Sequence, residues 1–176
     1  MSNLELTKML HSGHIQPLWN IDEFKTLNYK FDTHKDDVLL NEFASHGHSK
    51  MYMTLYNYFQ PSPFPDVVFD YIVPQFDLEN ISVAINLFKP GQYLPVHSDL
   101  YGKYKTHHGL TDQTITRCVI MLEDSVPGQI SQAGATTLGA WKAGDWISWA
   151  NDEPHAVYNM STVDRYAIQL TGVKKG

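Results

Sequence analysis

Three side chains have the types and spacing to hold a metal ion. His97 and Asp99 stand two apart in "YLPVHSDL", and His155 follows the turn "NDEP". On extended backbone, residues i and i+2 point to the same face, so the His97 imidazole and the Asp99 carboxylate converge while Ser98 points away. A second imidazole from His155 completes two nitrogens and one hard anionic oxygen. That set leaves half of an octahedron open and suits non-haem Fe(II). Arg165 lies ten residues after His155. An arginine on the strand beside such a centre can hold a distal carboxylate through a bidentate, charge-assisted pair.

Positioning these groups needs strands, and the second half of the chain supplies them. "NISVAINLF", "ITRCVIML", "GATTLGAW", "AGDWISWAND", "HAVYNM" and "DRYAIQLTG" read as short strands divided by glycine, proline and asparagine turns. Such spacing predicts a sandwich or barrel. The first half differs. "DDVLLNEFASH" and "DVVFDYIVPQF" carry apolar residues at helical spacing, "PSPFPD" is a turn or linker, and "SKMYMTLYNYFQ" fits strand or helix. The expectation is one domain over 1–176. Residues 1–79 form a helical or mixed cover and 80–172 a mainly β jelly-roll core, a cupin-like double-stranded β-helix with the N-terminal helices bracing one sheet.

Bulk composition narrows the partners. A chain of 176 residues with 43% hydrophobic and 18% charged content is an ordinary globular protein. Its net charge of −6 disfavours a broad grip on nucleic acid. The single cysteine, Cys118, excludes an internal disulfide and a cysteine-based zinc site, and its apolar surroundings predict a small core residue. No segment approaches the ~20 apolar residues of a membrane span, and the N-terminus does not read as a secretory signal. A cytoplasmic, reducing setting is expected.

From about residue 80 to 172, His97-x-Asp99, the distal His155 and Arg165 stand in the order of the Fe(II)/2-oxoglutarate-dependent dioxygenase superfamily, which the chain resembles. "HAVYN", preceded by "WKAGD" and followed by the Arg165 strand, is similar to the aspartyl/asparaginyl β-hydroxylase-like branch, which includes free-proline hydroxylases. The resemblance implies Fe(II) on His97, Asp99 and His155, 2-oxoglutarate as co-substrate with its 5-carboxylate on Arg165, and O2. It implies hydroxylation of an unactivated C–H in a free amino acid or a peptide or protein residue, with release of succinate and CO2. Arg117 matches an arginine that contributes to the co-substrate or carboxylate pocket. Phe88 stands where the prolyl 4-hydroxylase branch often has a tyrosine touching 2-oxoglutarate, so Asn86 or Arg117 would replace that contact.

Other candidates are read more plainly. Tyr101, Tyr104 and His107 lie after the His-x-Asp pair and are candidates to line a substrate mouth, with Trp149 beside them. His107 and His108 are expected on a flexible loop. Trp141, Trp146 and Trp149 itself read first as core and rim packing, and His46-x-His48 lacks a third ligand. Two further classes stay open: a cupin-like metal protein without 2-oxoglutarate chemistry, and a non-catalytic jelly-roll binding module.

Overall fold

Alternation of side chains along "RYAIQLTGVK" sets the architecture. Tyr166, Ile168 and Leu170 turn to one face, where they join Val83, Ile85, Leu87, Cys118 and Ile120 in the larger core. Arg165, Ala167, Gln169 and Thr171 occupy the other face by the period of two, and Ala167 joins a second core of Val119, Met121, Ala133, Ile147 and Trp149. A strand that is apolar on both faces must be covered on both. The computed structural model, which describes residues 10–33, 37–151 and 153–176, shows how.

The elements in chain order are β1 (His11–His14), α1 (Ile21–Lys25), β2 (Lys30–Thr33), α2 (Asp37–Ser45), β3 (Thr54–Phe59), β4 (Leu78–Phe88), β5 (Tyr93–His97), α3 (Gly102–His108), β6 (Ile115–Met121), β7 (Gln129–Ala133), β8 (Thr136–Leu138), β9 (Asp145–Ala150), β10 (His155–Asn159) and β11 (Arg165–Lys174). A π-helical turn over Val68–Ile72 runs into a 3-10 turn over Val73–Gln75. The strands form a seven-stranded sheet, β1-β9-β6-β11-β4-β3-β2, and a four-stranded sheet, β5-β10-β7-β8. All pairings are antiparallel. Strands β4 to β11 weave between the two sheets as a double-stranded β-helix, the eight-stranded jelly roll.

The N-terminal segment covers one sheet, as expected. Phe24 of α1, with Val68 and Ile72 of the π-helical turn, is fully buried against the outer face of the large sheet. The same segment also supplies β1, β2 and β3, which lengthen that sheet at both edges. "SKMYMTLYNYFQ" resolves as strand β3. Cys118 is buried, as a small core residue should be.

One polar residue locks the closed end of the barrel. Asn159, with no exposed surface, donates from Nδ2 to the carbonyls of Phe88 (2.7 Å) and Val163 (2.8 Å). Its Oδ1 accepts from the Ser161 hydroxyl at 2.6 Å. These bonds tie β10 to the end of β4 and fix the turn that delivers Arg165. Asn159→Ala removes both amide bonds, although the Val163 carbonyl keeps the Ser161 hydroxyl at 3.1 Å, so the expected loss is roughly 1–3 kcal/mol in urea unfolding.

Candidate metal centre and its surroundings

The two histidines come from neighbouring strands of the small sheet. His97 ends β5, His155 begins β10, and the pairing register sets them opposite each other. Their ring centroids are 4.3 Å apart. His97 Nδ1 lies 2.8 Å from the Pro95 carbonyl, and His155 Nδ1 lies 3.0 Å from that of Glu153. A carbonyl oxygen only accepts, so in each ring Nδ1 carries the proton and Nε2 the lone pair. Second partners of this kind fix the tautomer and orientation of metal-bound histidines.

Asp99 completes the group. One ligand atom each from His97, Asp99 and His155 lies within 4.8 Å of the others, which makes this the candidate metal centre among the described residues. Asp99 Oδ2 sits 3.5 Å from His155 Nε2 and 2.8 Å from Nη2 of Arg117. Burial and the neighbouring His97 pull the His155 imidazole down to about 4. It is therefore neutral and ready to coordinate at neutral pH.

A pH effect on stability follows. An exposed histidine titrates near 6.5, so the unfolded chain takes up this proton before the folded one does. Stability from the neutral imidazole is present above about pH 6.5 and lost as pH falls toward 4. The metal-free protein should show a melting temperature that drops across that window. His155→Gln should remove this part of the drop in calorimetric scans; an unchanged profile would show that other groups cause it.

Arg165 lies deeper in the barrel. It is 3% exposed, and Nη2 reaches the Ser131 hydroxyl at 2.5 Å and the Met121 sulfur at 3.6 Å. Its guanidinium lies over the Trp141 indole at 5.0 Å and the Phe88 ring at 5.7 Å. Nε and Nη1 make no hydrogen bond. Burial without a carboxylate pulls the guanidinium down to about 9. Ser131 stands two residues along β7 from Ala133, which pairs with His155. At ~3.3 Å per residue, the β7 position that meets the guanidinium is roughly 7 Å along the strand from the one that meets His155. An unmade buried donor costs about 1–3 kcal/mol, so the unpaired Nε and Nη1 suit an anionic partner.

The other sequence-nominated residues divide into two sets. Arg117, Trp149 and Tyr101 adjoin the triad. Arg117 pairs with Trp149 across β6 and β9. Its guanidinium lies 5.2 Å from the Tyr101 ring centre, and the Trp149 ring lies 4.7 Å from that of His155. Asn86 is buried on β4, gives its amide to Gln169 at 3.2 Å, and keeps an unpaired Oδ1. It pairs with Ala167 on β11, two residues from Arg165, and its amide is turned toward Gln169 on the far side. Tyr104 and His107 are not brought to the metal ligands. The Tyr104 hydroxyl donates to the Asn80 carbonyl at 2.9 Å, and His107 is exposed against His108.

One correction follows. The segment expected to be a flexible loop holding His107 and His108 contains helix α3, which Tyr104 and a 3.4 Å contact between Ser82 and His108 strap to β4. Trp141 packs in the second core, as expected, and the Arg165 guanidinium also lies 5.0 Å from its ring. Sequence reasoning missed Ser131, the hydroxyl that orients Arg165. Its only signal was the faint alternation of small and polar residues in "QISQA". His48 is accounted for by a 2.7 Å bond to the Tyr93 hydroxyl.

Strand order and ligand set together define a double-stranded β-helix protein of cupin-like architecture carrying a candidate His–Asp–His metal centre. No protein-family model and no curated protein matches the chain. Among solved structures it is similar to a prolyl-4-hydroxylase from Pseudomonas putida, at 12% identity and a TM-score of 0.53, over 88% of this chain and 97% of that one. It is also similar to a cupin-2 domain from Rhodospirillum rubrum, at 6% identity and a TM-score of 0.45, over 84% and 72%. The cupin domain of Schizosaccharomyces pombe Cnp3 matches at 9% identity and a TM-score of 0.41, over 68% and 65%. These likenesses are of fold.

Proposed function

We propose that the protein is an Fe(II)- and 2-oxoglutarate-dependent oxygenase that hydroxylates an unactivated C–H of an amino acid or of a peptide or protein residue, releasing succinate and CO2. The observation that supports this reading is the buried guanidinium of Arg165, whose Nε and Nη1 are unpaired on the same small-sheet side of the barrel as His155. A cupin-like metal protein without this co-substrate would need another anion there, since burying an unpaired guanidinium is costly.

The residues divide the work. His97, Asp99 and His155 would hold the iron, which with 2-oxoglutarate and O2 supplies the oxidising power. Ser131 and Trp141 orient Arg165, and Arg165 would receive the 5-carboxylate. Arg117 holds Oδ2 of Asp99, the oxygen that also lies 3.5 Å from His155 Nε2, and so orients the carboxylate at the site. Trp149 closes one side of His155 and excludes water from it.

The test is anaerobic. Metal-stripped protein given Fe(II) and 2-oxoglutarate should develop the visible charge-transfer band of the chelated complex. Iron binding without a band would favour the cupin-like metal protein. Failure to bind iron would leave a jelly-roll binding module.

A further inference from the structure

Lysines at one end of the barrel lack a counter-charge. Elsewhere, Lys25, Lys142 and Lys175 lie in ion pairs with Glu123, Asp124 and Asp77. Lys50 donates to the Asn41 amide oxygen, and Lys30 and Lys89 lie over the rings of Phe59 and Tyr56. Among the described lysines, that leaves Lys103, Lys105 and Lys174 with no such partner. Lys103 and Lys174 are exposed, and Lys105 is half-buried.

All three stand at the end that holds the triad. Helix α3 starts just after Asp99 and is tied to Asn80 and Ser82 of β4. Lys174 closes β11, where it pairs with Leu78 of the same strand β4. This gathering of charge runs against the composition. The chain carries 19 carboxylates to 13 lysines and arginines, yet Leu100 to Thr111 holds two lysines, two histidines and no carboxylate. Glu79 comes near, since after burial it is what pushes the Tyr104 hydroxyl up, but it pairs with none of the three lysines. A single solvated lysine is ordinary. Three unpaired ones around one opening of an acidic protein set up a local positive field there.

Leu100 supplies an apolar element. It is 90% exposed and stands between Asp99 and the turn into α3. An apolar side chain with charges around it is the make-up of a protein-recognition patch. Nucleic acid calls for a longer basic track than three lysines on a chain of net charge −6. From these observations we infer that α3, Leu100 and the Lys174 end of β11 form a docking surface for an acidic polypeptide segment. Its carboxylates would meet Lys103, Lys105 and Lys174, and an apolar side chain would meet Leu100. The surface adjoins the triad but rests on neither the metal nor 2-oxoglutarate, so its success or failure leaves the proposed reaction to its own test.

The probe is a short fluorescein-labelled peptide of glutamate, leucine and glycine, titrated with the full chain and followed by fluorescence anisotropy. Its glutamine counterpart and a single-stranded DNA of equal charge run beside it. The glutamate peptide should bind about tenfold tighter than the glutamine one, the sum of three exposed pairs, and the difference should shrink as salt is raised. Lys103→Gln with Lys105→Gln should remove most of that difference, and Leu100→Ser should weaken both peptides. Lys25→Gln with Lys142→Gln removes the same charge from the opposite end and should leave binding as it was. Melting temperatures and the amide resonances of α3 show that each variant stays folded. Equal affinity for the glutamine peptide would overturn the surface, as would equal losses in the two double variants. DNA binding as tightly as the peptide would overturn the assignment of a polypeptide partner.

Discussion

Arg165→Met, with Ser131→Ala beside it, should make the metal-free protein more stable while abolishing the 2-oxoglutarate binding proposed above. Arg165 is buried with Nε and Nη1 unpaired. Exchanging an uncompensated buried charge for an apolar side chain removes a desolvation cost, and Ser131→Ala removes the hydroxyl that would be orphaned. The gain should be ~1–3 kcal/mol, or a rise of about 2–10 °C in melting temperature for a chain of this size. The loss of function is larger. Breaking a buried charged pair by removing one partner costs ~3–5 kcal/mol, which is two to three orders of magnitude in co-substrate affinity. Melting curves with and without 2-oxoglutarate read both effects. The native chain should gain stability from the ligand, and the variant should start higher and gain almost none. Arg165→Lys should fall between, since an ammonium supplies the charge without the fork. Unchanged affinity in the Met variant would remove the central support for the co-substrate reading.

Much of this arrangement was legible before any coordinates. The strands whose inward residues are large and apolar declared themselves: "NISVAINLF", "ITRCVIML" and "DRYAIQLTG" became β4, β6 and β11. The triad was legible because its spacing carries geometry. His97 ends β5 with Asp99 two residues further on, just past the strand, and a turn returns His155. β7 stayed hidden because its buried positions are Gln129, Ser131 and Ala133, a row that faces a polar site and shows no hydrophobic alternation. The partner of Arg165 was lost with it. β1 and β2 are short and largely exposed, so their pairing with β9 and β3 owes little to their own side chains. The partner of Arg117 was also illegible. Its strand position identified an inward-facing cation, but only the fold of residues 98–101 back over β6 brings Asp99 to it. Local pattern predicts which residues face inward; the contacts among them depend on strand order, which the pattern leaves open.

Asp99→Asn should cost both function and stability, in contrast to Arg165→Met. The amide keeps the shape of the side chain but loses the charge that a divalent metal needs from a hard oxygen ligand. Metal affinity and the anaerobic charge-transfer band should fall to background. Arg117 is meanwhile left without its 2.8 Å partner, with only 11% of its side chain exposed. The metal-free protein should therefore melt lower, by an amount corresponding to ~1–3 kcal/mol. Arg117→Gln in the Asp99→Asn background should recover part of that loss without restoring the metal, because it removes the stranded charge. The two arginines thus respond in opposite ways. Arg117 is already paired within the protein, so taking its partner away is costly. Arg165 leaves Nε and Nη1 unpaired within the protein, so its removal should relieve the metal-free protein and, on the proposed reading, disable the loaded one. If Asp99→Asn left the metal-free melting temperature unchanged while still losing iron, the Arg117 pair would contribute nothing to the fold, and its role would be confined to orienting the ligand.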